Sequence, residues 1–112
     1  DIAELRHYLD PYAPVLYRLF RQIAEQAGDH LADVQLCGLL PQLQGVLPVL
    51  LGLGYRCYSV DAPFIPHLAS VASELSQAEC KDLAGRVCAA HTTQEVLDIL
   101  QLPADRHPPF LF

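Results

Sequence analysis

Four cysteines, five histidines and thirteen aspartates and glutamates are the groups in this 112-residue chain that could bind a metal, cross-link or move a proton. Cys80 and Cys88 fall on one expected helix, about 12 Å apart along its axis, which no disulfide can span. They share an apolar stripe with Leu83, Ala84 and Val87, where a reduced cysteine serves as a small hydrophobic side chain. Only a Cys37–Cys57 pairing is left open. Free thiols of this kind point to an intracellular, reducing compartment, the cytoplasm or nucleus, with the mitochondrion allowed. A zinc site would have to draw on Cys80, Cys88, His91 and Cys57 or His67, yet no close-set C-x-x-C pair brings such ligands together. The sequence therefore predicts neither metal nor cofactor. His7, His30, His67, His91 and His107 are scattered, and His91 follows a helix end, where an imidazolium meets the negative end of the dipole.

Catalytic constellations are equally hard to find. G-x-S-x-G, the phosphate-binding loop and G-x-G-x-x-G are all absent, and Gly52-Leu53-Gly54 lacks the lysine, the third glycine and the preceding strand that would give it meaning. The carboxylate pairs Asp29/Asp33 and Glu79/Asp82 lie in first turns of helices, where acids stabilise the macrodipole. Cys57 with His67 is conceivable as a nucleophile and base, but nothing in the spacing favours it. The expectation is a protein that is not an enzyme and has no catalytic residues.

Composition turns attention to surfaces. The chain is 52% hydrophobic and 18% charged, with a formal charge of −6, a pI near 5.1 and a mean hydropathy of +0.21. Ordinary domains carry about 25% charged residues, so some apolar surface should need a partner. The acidic balance excludes DNA and makes RNA an unlikely ligand. One local face is an exception: Arg6, Arg18 and Arg21 lie among Tyr8, Tyr12 and Tyr17, a mixture that suits stacking on single-stranded RNA but suits a protein hot spot better in an acidic chain. Tyr12, Tyr17, Arg18 and Arg21, with the apolar end Phe110-Leu111-Phe112, are the expected partner-binding residues, the partner being another protein or a second copy. No run of 18 apolar residues exists, so no membrane span is expected. The absence of methionine, even at position 1, suggests an excised domain or a processed terminus.

The elements that must position these groups read as helices. Residues 1–9 suggest a short helix. Asp10-Pro11 then opens an amphipathic helix with Tyr12, Val15, Leu16, Leu19, Phe20, Ile23 and Ala27 in one stripe, ending at Gly28. From Asp33, Leu36 to Leu51 recur at three- and four-residue spacing, and Pro41 and Pro48 should divide this central segment into two short helices, with small residues where neighbours approach. Tyr55 to Val60 alternates like a strand, but with no evident partner it reads as an extended connector. Asp61 is expected to cap a helix begun through Pro63 and Pro66. Ser76-Gln77-Ala78-Glu79 and Thr92-Thr93-Gln94-Glu95 are capping boxes that open two more. The expected fold is all-α: a compact bundle of six to seven short helices, or two to three stacked helical hairpins forming a short solenoid, over residues 1–102, followed by a proline-rich tail, 103–112.

Leu50-Leu51-Gly52-Leu53-Gly54-Tyr55-Arg56, then Leu68 to Leu75, then Ser76 with Glu79, Leu83 and Ala84, resembles the leucine-rich helical-pair repeats of FAST-kinase-like and octotricopeptide organellar RNA-processing proteins. That resemblance, over about a third of the chain, implies RNA processing as the alternative function. The helix count is also loosely similar to death-fold adaptor domains. The residues themselves favour a non-catalytic adaptor or scaffold domain that binds a protein through an apolar helix face carrying aromatic and arginine side chains.

Overall fold

The computed structural model of the chain describes residues 10–37 and 40–103, with Cys37 as backbone only. The chain is mostly helical. Five α-helices are described, α1 (Pro14–Ala27), α2 (Val46–Gly52), α3 (Ile65–Ser73), α4 (Gln77–Ala89) and α5 (Thr93–Ile99), with 3₁₀ turns at Gly28–Asp33, Leu40–Gln42 and Ala62–Phe64. Two short strands, β1 (Gln35–Cys37) and β2 (Cys57–Ser59), complete the described elements. The first expected helix, over residues 1–9, and the tail beyond Pro103 lie outside the described residues.

Local chemistry sets the helix ends. Pro14, at the first position of α1, needs no backbone donor there, and Gly28 at its end takes φ 53°, a left-handed conformation that favours glycine. The helix starts later than Asp10-Pro11 suggested, because Asp10 closes a turn instead. Its Oδ1 accepts from Tyr12 N at 2.9 Å and its carbonyl from Ala13 N at 3.0 Å. Both capping boxes form: Ser76 Oγ accepts from Glu79 N and Thr92 Oγ1 from Glu95 N, each at 3.1 Å. Glu95 also reaches back, its Oε2 accepting from His91 N at 2.8 Å.

The central leucine-rich segment is where the structure departs from a purely helical reading. Gln35–Cys37 is a strand and pairs in parallel with Cys57–Ser59, in the register Gln35↔Cys57, Leu36↔Tyr58 and Cys37↔Ser59. The supposed connector therefore has a partner, from a stretch whose leucine spacing suggested helix. Pro41 does break that stretch, in a 3₁₀ turn, and Pro48 sits in the first turn of α2, where it costs no hydrogen bond. The result is a strand–helix–strand unit, β1–α2–β2. Leu36 and Tyr58 pack against the core, whereas Gln35, Cys57 and Ser59 are exposed. Parallel sheets are ordinarily covered on both faces. Among the described residues, one face of this sheet is bare.

The core gathers Val46, Val49 and Leu50 of α2 with Ala84, Val87 and Cys88 of α4, and Tyr12, Tyr17 and Val96 around them. α2 and α4 approach closely at Gly52, where a Cβ would lie 2.0 Å from Cys80 O. Small residues at close approaches, expected from the sequence, are thus realised there.

Candidate functional site

In parallel α/β units, ligands bind beyond the carboxyl ends of the strands, where the connecting loops converge. Here that end is marked by Cys37 and Ser59, register partners on adjacent strands. The chain leaves β1 toward the 3₁₀ turn Leu40–Gln42, and leaves β2 through Val60 and Asp61 into the turn Ala62–Phe64. Two hydrogen bonds join these exits. Gln42 Oε1 accepts from Asp61 N at 2.7 Å, and Gln42 Nε2 donates to Asp61 Oδ2 at 3.3 Å. The rim so formed carries the Ser59 hydroxyl and the Asp61 carboxylate, with the backbone of Cys37 beside them. Beside it a groove of about 540 Å³ runs between the sheet, α2 and α3, bordered by Gln35, Pro41, Ser59, Val60, Ile65 and Leu68.

The rim has no cation of its own. Neither 40–45 nor 60–64 contains lysine or arginine; of the described cations, Arg56 borders the groove beside the rim and the others lie elsewhere. Arg18 donates to Cys88 O and Ala90 O, both at 3.0 Å, closing the carbonyl end of α4. Arg56 donates to Leu51 O, Tyr55 O and Gln77 Oε1. Arg86 pairs with Asp82 at 4.0 Å on the surface of α4. Arg21 and Lys81 flank a separate cleft of about 330 Å³ beside Glu25 and Gly52.

The expected partner-binding residues are distributed differently from a single surface patch. Tyr12 and Tyr17 are buried, their hydroxyls donating to Gln44 O at 2.8 Å and Pro11 O at 2.7 Å. Burial pushes the Tyr17 phenol far above its ordinary range, with Tyr12 and Asp10 adding to the effect. Arg18 and Arg21 are exposed on α1, and Phe110, Leu111 and Phe112 lie outside the described residues. The apolar residues that α1 does expose are Val15, Leu19 and Ile23, one per turn. Cys80 and Cys88 are buried free thiols, as their stripe suggested, and burial raises both above the ordinary thiol range. Cys57 is an exposed free thiol whose register partner is Gln35. Among the described residues, no three His, Cys, Asp or Glu side chains are grouped to hold a metal ion, and no helix is long and apolar enough to cross a membrane.

Residues 1–78, which include both strands, α2 and the whole rim, match the family described as PEP-utilising enzyme, PEP-binding domain. The chain belongs to that family. Among curated relatives, it is 31% identical over 101 residues to the phosphoenolpyruvate-protein phosphotransferase of Staphylococcus carnosus, covering 89% of this chain and 18% of that protein. It is 29% identical over 96 residues to the enzyme of the same name from Buchnera aphidicola, 86% of this chain and 17% of the relative. Against multiphosphoryl transfer protein 1 of Escherichia coli the identity is 33% over 91 residues, 81% of this chain and 11% of the relative. The chain thus spans less than a fifth of the curated relatives it matches. No solved structure matches it.

Family membership corrects the functional expectations. The chain is not a non-catalytic adaptor or scaffold, nor a fragment of an organellar RNA-processing repeat, and the expectation of no enzymatic role falls with them: its family is one of phosphoenolpyruvate-utilising enzymes. The likeness to helical-pair repeats rested on degenerate leucine spacing, and the first of its stretches, Leu50–Arg56, in the structure passes from the end of α2 toward β2. Of the residues read as an adaptor's docking face, Tyr12 and Tyr17 belong to the core and Phe110, Leu111 and Phe112 lie outside the described residues. Sequence reasoning missed Cys37, Ser59, Gln42 and Asp61 as a group. Their signal was two alternating stretches, Gln35–Cys37 and Cys57–Ser59, flanking a short helix.

Proposed function

We propose that this chain supplies two neighbouring strand ends to the phosphoenolpyruvate-binding domain of a phosphotransferase, and that it acts as part of a larger α/β domain. The observation that carries this reading is the parallel β1–α2–β2 unit, whose carboxyl-end rim lies wholly inside the stretch that matches the family. The bare sheet face and the apolar stripe on α1 fit a unit packed against further strands and helices rather than a free-standing bundle or solenoid. Protein partners of the whole enzyme, and the partner-facing role of Arg18 and Arg21, stand within the same proposal.

Phosphoenolpyruvate carries a phosphate and a carboxylate. Transfer of its phosphoryl group breaks the bond between phosphorus and the enol oxygen, leaving an enolate that must take up a proton at its terminal carbon to become pyruvate. Anion recognition needs donors such as Arg or Lys; among the described residues Arg56 borders the adjoining groove, and the remainder of the enzyme would bring further donors to this rim.

The test is a chimera in which this chain replaces its homologous segment in the E. coli multiphosphoryl transfer protein, with pyruvate release from phosphoenolpyruvate as readout. Release above that of the protein lacking the segment is expected. A folded chimera with no such release would overturn the reading.

A further inference from the structure

Five lysines and arginines lie among the described residues, and three of them are occupied. Arg18 donates to two carbonyls at the end of α4, Arg56 to two carbonyls and to Gln77, and Arg86 pairs with Asp82. Arg21 and Lys81 have no hydrogen-bond or ion-pair partner among the described residues, and both border the one cleft of about 330 Å³ between α1 and α4. In a chain with thirteen carboxylates and a net charge of −6, two unanswered cations at one place call for a cause. Helix spacing supplies part of it. The residues three and four positions from Lys81 are Gln77, Ala78, Ala84 and Gly85, none of them acidic. Arg21 has Glu25 one turn on, also at the cleft, yet the two form no ion pair.

The cleft has the other attributes of a small-ligand site, an apolar lining that includes Leu31, Leu53 and Ala84, and open room. Nothing lies within 4 Å of a would-be Cβ on Gly85, which borders it. It is also distinct from the rim. Gly52 and Leu53 stand at the carboxyl end of α2, and a crossover helix runs antiparallel to the strands it joins, so the cleft lies toward their amino ends. We propose that this cleft binds a small organic phosphate, its oxygens held between the Arg21 guanidinium and the Lys81 ammonium and its carbon body on the apolar lining. A phosphate monoester carries a charge of about −1.5 to −2 at neutral pH and three strong acceptor oxygens, which answers two cations where a single carboxylate would answer one. Arginine supplies a planar fork and lysine a point charge, both suited to phosphate. Glu25 repels an anion on its own side and accepts a hydrogen bond from a hydroxyl on the ligand's body, which favours a hydroxylated ester over inorganic phosphate.

The experiment is a titration of the whole chain at low ionic strength with glycerol 3-phosphate, inorganic phosphate and glycerol, followed through backbone amide NMR shifts. Saturable shifts are expected for glycerol 3-phosphate, concentrated at Gly52, Leu53, Lys81 and Gly85, with weaker binding of inorganic phosphate and none of glycerol. Arg21→Gln and Lys81→Gln should each weaken glycerol 3-phosphate by about tenfold or more. Arg86→Gln removes the same charge from α4 outside the cleft and should change affinity by less than about twofold. All three alter exposed side chains, so the fold should be kept. Gly85→Leu leaves the charge unchanged and puts bulk into the cleft, and it should abolish binding, whereas Glu25→Gln should narrow the preference for the ester over inorganic phosphate. Absence of saturable shifts at millimolar ester would overturn the proposal, as would an Arg86→Gln loss equal to the other two or full binding by Gly85→Leu. Shifts concentrated at Ser59 and Asp61 would overturn it too, and would leave the phosphoenolpyruvate reading of the rim standing.

Discussion

Replacing Gly52 by alanine should be among the most damaging single-methyl additions the chain can suffer. Gly52 ends α2, and an ideal Cβ on it would lie 2.0 Å from Cys80 O, 2.5 Å from Cys80 C and 2.9 Å from the Cβ of Ala84. Ordinary carbon–oxygen contacts begin near 3.3 Å, so the α2–α4 crossing would have to open by about 1.3 Å. The obstacle is backbone, which cannot rotate away as a side-chain tip could. Overpacking of this kind costs roughly 1–3 kcal/mol and occasionally more, against which alanine's better helix propensity returns at most about 1 kcal/mol. Because Val49 and Leu50 of α2 and Ala84 and Val87 of α4 belong to one buried cluster, the upper part of that range applies, for a net loss of about 2 kcal/mol. At this size that lowers the melting temperature by roughly 10 °C. Gly85 provides the opposite case on the facing helix: nothing lies within 4 Å of its would-be Cβ, so Gly85→Ala should stabilise by about 0.5–1 kcal/mol. Urea denaturation of the two variants decides the matter. A Gly52→Ala protein as stable as the parent, or a Gly85→Ala protein less stable, would refute the packing argument.

Other consequences can be checked in the same assay. Ser76→Ala and Thr92→Ala should each lose about 1 kcal/mol, and the double variant close to the sum, since the two caps serve different helices; a combined loss no larger than either single loss would contradict independent capping. Burial holds the Cys80 and Cys88 thiols above their ordinary value of 9.0. The folded state then keeps protons that the unfolded state releases, so stability should be level below pH 9 and fall above it, by at most about 1.4 kcal/mol per pH unit for each thiol. The raised phenols of Tyr17 and Tyr58 add to this decline above 10. A Cys80→Ala/Cys88→Ala protein should lose the part of the decline that starts near pH 9, and an unaltered profile would show that the thiols are not its source.

What could be read from the residues alone divides along physical lines. Signals that act within one turn were legible: the Ser76 and Thr92 caps, the Gly28 stop, the break at Pro41 and the helix start near Pro48 all depend on a few neighbouring backbone groups. The buried thiols were legible too, because an apolar stripe at helical spacing fixes a side chain's surroundings. Parallel pairing was not. The partner of Gln35–Cys37 lies some twenty residues away, and an apolar run such as Leu36 to Leu51 fits a buried helix as well as it fits strand followed by helix. Without that pairing Cys37 and Ser59 had no reason to be considered together, and the rim stayed invisible. Tyr12 and Tyr17 show a related ambiguity: an aromatic ring with a polar tip suits an interface, but it suits a core equally well where a backbone carbonyl waits for the hydroxyl, as Gln44 O and Pro11 O do.

The central claim is that the carboxyl ends of β1 and β2 face phosphoenolpyruvate, and protection of Cys37 tests it most directly. In the chimera with the E. coli relative, alkylation of Cys37 would be followed with and without saturating phosphoenolpyruvate, with Cys80 and Cys88 as internal standards. If the site lies at this rim, ligand at ten or more times its dissociation constant should slow Cys37 by about tenfold or more and leave the two core thiols unchanged. A chimera that turns over phosphoenolpyruvate while Cys37 reacts at the same rate in its presence would place the ligand elsewhere.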